Sequence, residues 1–81
     1  MSGSTRILFV EDDSSLAATF SLGLEAEGYQ VDVASTSGEA LALLARGAYP
    51  VVITDIYLDE RSGLDVLRAA RDNNPDSAVI V

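Results

Sequence analysis

Two apolar runs in this chain end in acid: Ile7-Leu8-Phe9-Val10 leads into Glu11-Asp12-Asp13, and Val51-Val52-Ile53-Thr54 leads into Asp55. Carboxylates repel one another and are costly to desolvate, so a fold that gathers them does so around a cation. If the two runs are neighbouring parallel strands, Glu11, Asp12 and Asp55 converge on one point. Carboxylates joined by a backbone carbonyl make a hard oxygen site suited to Mg2+ or Mn2+. With the negative charge offset there, an Asp can attack a phosphoryl donor and form an acyl phosphate. The chain contains no His and no Cys. That removes the usual general base, thiolate chemistry, disulfides and most zinc sites.

Each acid also has a plainer use. Asp12 or Asp13 can cap a following helix and favour its dipole. Asp55 alone can open a turn, and Ser62 and Gly63 read as turn and cap. Tyr57 reads as a rim aromatic.

Positioning these residues requires alternating strands and helices. Residues 7–10 are apolar throughout, as in a strand covered on both faces. Ser14 or Ser15 is expected to cap a helix reaching about Glu27, with Leu16, Phe20 and Leu24 on one stripe. Gly28 supplies its left-handed stop. Residues 29–34 alternate polar and apolar, the pattern of a half-exposed edge strand. Thr36 and Glu39 have capping-box spacing and open a helix through about Arg46, with Leu41 and Leu44 inward. Gly47 ends it and Pro50 precedes the strand 51–53. A polar loop, 59–63, leads into a helix at 64–73 that is expected to bury Leu64, Leu67 and either Ala70 or the Arg71 stem. A turn at 73–76 precedes the last strand, 78–81.

The order βαβαβαβ implies a parallel sheet with right-handed crossovers. An edge-type second strand beside buried first and third strands gives the order 2-1-3-4, a flavodoxin-like α/β fold. Ligands of such sheets sit outside the carboxyl ends of the strands, at the switch between strands 1 and 3. Glu11, Asp12 and Asp55 fall there. Neither a P-loop nor a dinucleotide fingerprint is present.

Eighty-one residues with 48% hydrophobic content read as one thin-cored globular unit. Thirteen acidic residues against five basic ones give a net charge of −8. No basic run exists, so direct nucleic-acid binding by this segment is not expected. No apolar stretch approaches the ~20 residues of a membrane span, and the lack of Cys suits a cytoplasmic setting.

Together, residues 7–13, Ser37-Gly38-Glu39-Ala40-Leu41, residues 52–58 and Ser62-Gly63-Leu64 strongly resemble the receiver domain of two-component response regulators. The match runs in register over nearly the whole chain. The resemblance implies that Asp55 is the phospho-acceptor. Asp12 would be the direct metal ligand, Glu11 would act mainly through water, and the Tyr57 backbone carbonyl would complete the protein's share of Mg2+ coordination. The donor would be a phosphohistidine on a sensor histidine kinase or phosphotransfer protein. Such a module is not an enzyme beyond self-phosphorylation and self-dephosphorylation at Asp55.

Two departures stand out. Family members usually carry Pro where Asp59 stands. The family's Ser or Thr closing strand 4 and its Lys closing strand 5 have no counterpart before Val81. Residues 1–81 are therefore expected to be the N-terminal portion of a single receiver domain from a longer, transcriptional regulator. Weak phosphoryl affinity, uncovering of Ile7, Phe9 and part of the first helix, and self-association are expected to follow. A phosphorylation-independent interaction or oligomerisation module is the alternative reading. A magnesium-dependent phosphatase fits less well, because such enzymes place a second Asp where Tyr57 stands.

Overall fold

The computed structural model describes residues 5–47, 49–54, 63–73 and 78–80. Four strands and three helices alternate: β1 (Arg6–Val10), α1 (Ser14–Ala26), β2 (Gln30–Ala34), α2 (Ser37–Arg46), β3 (Val51–Thr54), α3 (Gly63–Asn73) and β4 (Ala78–Ile80). All pairings are parallel and the strand order is β2-β1-β3-β4, as the sequence pattern implied.

β1 is the hub. Its residues 7–10 are all buried, because the sheet has cover on both sides. Leu8 and Val10 point to one face and join Ala34, Ala40, Leu44, Tyr49, Val52, Val66 and Ala70 in the main core under α2 and α3. Ile7 and Phe9 point to the other face, where α1 lies.

The ends of the helices are set by short polar devices. α1 is capped by Asp13 rather than Ser14 or Ser15: its Oδ1 accepts the backbone N–H of Ser15 at 2.9 Å and of Leu16 at 3.1 Å. A carboxylate placed one residue earlier reaches both donors and also complements the helix dipole. At the other end Gly28 takes φ +97°, with Gly28 N–H on Glu25 O and Tyr29 N–H on Leu24 O. This pair of bonds is the Schellman arrangement, and it uses Tyr29 before the strand can begin at Gln30. In α2, Thr36 Oγ1 accepts the Glu39 N–H at 3.1 Å, as the spacing predicted. The return half of the box closes on Ser35, whose N–H and hydroxyl both reach Glu39 Oε1.

Three packing expectations need correction. Ile7 and Phe9 are not uncovered; they are 4% and 7% exposed. The Phe20 ring stands edge-on to Phe9 at 5.8 Å and α1 shields that face. The Leu16–Phe20–Leu24 stripe is not the buried one, since Leu16 and Phe20 are exposed and Ala17 is the residue of α1 that is buried. The small side chain lets the helix sit close to the sheet, which turns the larger ones to the flank. In α3 the inward pair is Val66 and Ala70, with Leu67 half-buried and Arg71 exposed. In α2, Leu44 is buried as expected, Ala40 shares its face, and Leu41 is half-buried. The Leu64 side chain, the loop 59–62 and the turn 74–76 lie outside the described residues.

Leu44 sits at the junction of α2 with the sheet core and is 2% exposed. Leu44→Ala should cost about 2–5 kcal/mol, read as a lower urea midpoint with unchanged slope.

Candidate functional site

The parallel register decides where the acids sit. Val10, the last residue of β1, is paired with Ala34 of β2 on one side and with Thr54 of β3 on the other. The Glu11 N–H then bonds Ala34 O at 2.9 Å, extending the ladder one residue past the strand. Glu11 is thereby fixed at the carboxyl edge of the sheet, beside the end of β3. Thr54 is buried there, and Asp55 is the next residue in sequence.

The three consecutive acids divide their work. Asp13 holds the N-terminus of α1 through Oδ1. Glu11 is half-buried, and its Oε2 accepts the Asp13 N–H at 3.1 Å. Asp12, between them, is exposed. The short bend that caps the helix therefore presents Asp12 outward while bracing Glu11. Asp55 and Tyr57 lie outside the described residues. Among the described residues no group of three metal-ligating side chains gathers. Glu11 and Asp12 bring two hard oxygen donors to one edge, a partial set that fits a divalent cation once a further acid joins it.

A second polar cluster, at the opposite end of the sheet, was not anticipated. Asp32 of β2 accepts from Arg6 Nη2 at 2.8 Å and from the Tyr49 hydroxyl at 2.6 Å. The Arg6 guanidinium also lies 5.5 Å from the centre of the Tyr49 ring. The Tyr49 hydrogen bond, aided by Arg6 and opposed by partial burial, holds the Asp32 carboxyl below its usual range. Burial, with the Asp32 bond and charge behind it, pushes the Tyr49 hydroxyl up to about 12. The signal was available only through register: Leu8 opposite Asp32 places Arg6 within reach of it.

Residues 7–81 match the model of the response regulator receiver domain, and the chain belongs to that family. It is 42% identical over 76 residues to the alginate biosynthesis transcriptional regulatory protein AlgB of Pseudomonas aeruginosa, covering 94% of this chain and 17% of that protein. Among solved structures, a Burkholderia pseudomallei response regulator with a phosphorylated aspartic acid, calcium ion and citrate superimposes with a TM-score of 0.86 at 30% identity, covering 94% of this chain and 45% of that one. The response regulator TrrA of Thermotoga maritima, in complex with Mg(2+)-BeF, gives a TM-score of 0.84 at 35% identity, covering 95% of this chain and 67% of that one. TrrA has also been solved in complex with the histidine kinase ThkA, with a TM-score of 0.81, covering 93% of this chain and 65% of that one. The chain thus spans under a fifth of AlgB and about two thirds of TrrA.

The Tyr49 geometry fixes an alkaline limit. A raised folded-state pKa means that the native state holds the proton more tightly, so this stabilisation is complete below pH ~10 and is lost as pH climbs towards 12. Thermal unfolding should show Tm falling across that window, and Tyr49→Phe should flatten that part of the profile at the cost of the Asp32 bond.

Proposed function

We propose that this chain is a phospho-accepting receiver module whose acceptor is Asp55. The observation that carries the reading is the Val10–Thr54 pairing, which supports Glu11 and Asp12 beside the residue from which Asp55 follows. A phosphohistidine on a sensor histidine kinase or phosphotransfer protein is the donor. A carboxylate oxygen of Asp55 attacks phosphorus, the P–N bond breaks, and the imidazole leaves with the bonding pair. A bound Mg2+ (or Mn2+) would offset the charge of the phosphoryl oxygens and the acids. Asp12 would ligate it directly, Glu11 mainly through water, and Asp55 and the Tyr57 carbonyl would complete the protein's share. The phosphorylated Asp, the Mg2+ complex and the kinase complex of the similar structures support this chemistry here. Catalysis by the module itself ends at formation and hydrolysis of that acyl phosphate.

Residues 1–81 act as the N-terminal portion of a receiver domain, and the AlgB-like context supports a transcriptional output. Among the described residues no helix is long and apolar enough to cross a membrane. We place the module in the cytoplasm, where its donor kinase presents phosphohistidine.

The exposed apolar flank of α1, with Leu16 at 45% and Phe20 at 54% exposure, supports self-association of the 81-residue chain. Light scattering should give a mass above the monomer that falls in Phe20→Ser. A concentration-independent monomer would overturn this part.

The acceptor is tested with a small acyl phosphate and Mg2+. An acid-stable, hydroxylamine-labile phosphoryl label should appear on the chain, vanish in Asp55→Asn and drop at least tenfold in Asp12→Asn, as for loss of a direct metal ligand. A label that persists in Asp55→Asn refutes the assignment. No label at all favours the phosphorylation-independent interaction module.

A further inference from the structure

A cleft of about 500 Å³ opens at the opposite end of the sheet from the acids, lined chiefly by Arg6, Val31, Asp32, Val33, Arg46 and Tyr49. Val31, Asp32 and Val33 are consecutive residues of one strand, so their side chains alternate between the two faces of the sheet. A cavity that touches all three must run along the margin of β2. β2 has only one neighbour, β1, and is an edge strand. The Gln30 N–H bonds Thr5 O and the Ala34 carbonyl accepts from Glu11, so residues 30 and 34 turn their backbone groups inward. By the alternation of a parallel ladder, Val31 and Val33 turn their N–H and C=O groups outward, into the cleft.

The charge around this margin is unlike that of the rest of the molecule. The chain carries −8 overall and has five basic residues, two of which, Arg6 and Arg46, line this one cleft. Asp32 is matched by Arg6 and by the Tyr49 hydroxyl. Arg46, exposed in the last turn of α2, has no ion pair among the described residues. Val33 is 42% exposed and Val31 half-buried, giving an apolar rail beside the free cation.

We propose that the β2 margin is a docking site for an extended acidic peptide segment of a partner protein. The peptide adds as a strand to Val31 and Val33, and one of its carboxylates pairs with Arg46. Main-chain bonding supplies the register and the arginine selects an acidic side chain. A second copy of this chain is disfavoured as the occupant by mutual repulsion of two bodies at −8. This site is distinct from the acid cluster and does not depend on phosphorylation at Asp55.

The test uses the full 81-residue chain and a fluorescein-labelled peptide of sequence Thr-Val-Glu-Val-Thr-Val-Glu, with a version carrying Gln for both Glu residues. Anisotropy should show saturable binding that weakens roughly tenfold for the Gln peptide and for Arg46→Ala, as for loss of one charge-assisted contact. Val33→Pro removes an outward N–H on an edge strand, where proline is tolerated, and should abolish binding. Amide shifts on titration should centre on Val31 and Val33. Four results overturn the proposal: no binding, equal affinity for the Gln peptide, shifts centred elsewhere, or a peptide-independent dimer that Val33→Pro dissolves.

Discussion

The structure depends on one constraint: Val10 is hydrogen-bonded into the middle of a parallel sheet, with Ala34 to one side and Thr54 to the other. Parallel pairing forces all strands to end on the same side, because each must be reached by a crossover that returns to the start. Whatever follows Val10, Ala34 and Thr54 in sequence is therefore gathered at one edge, however far apart in the chain. Glu11 and Asp12 follow the first of these, Ser35 and Thr36 the second, and Asp55 the third. Burial of Leu8, Val10 and Val52 holds the register, since a slip by one residue would turn this apolar set to the wrong face.

Local bonding then gives each terminal residue a separate task. Asp13 is committed to the helix end and Glu11 to the Asp13 amide, which leaves Asp12 turned to solvent. The Ser35–Glu39 contact braces the neighbouring β2–α2 connection in a similar way. Rigid connections on either side of the acids favour a cation site held by the scaffold rather than built on a wandering loop.

Strand order, helix positions and the placement of Glu11 and Asp12 were legible because each rests on a local pattern: an unbroken apolar run, a capping box, a glycine stop. The choice among adjacent capping residues was harder to read, as Asp13, Ser14 and Ser15 are all competent and geometry alone selects Asp13. The buried faces of α1 and α3 were misjudged for a related reason. Periodicity counts large apolar residues, whereas close approach to a sheet favours Ala17 and Ala70. The Arg6–Asp32–Tyr49 cluster joins residues from three separate segments. No spacing in the chain announces it before the register is known.

That cluster and the acids stand at opposite ends of β1. Arg6 begins the strand and Glu11 follows its last residue, a separation of roughly 16 Å at the usual rise per residue. Arg46 adds to the positive end, while Asp12 and Asp13 add to the negative one. The molecule is thus electrically polar along its strand axis as well as negative overall. An approaching charged body will exert a torque on it as well as a pull. A partner with a basic surface meets the acid end first, and the opposite end is left facing away, open to something else at the same time.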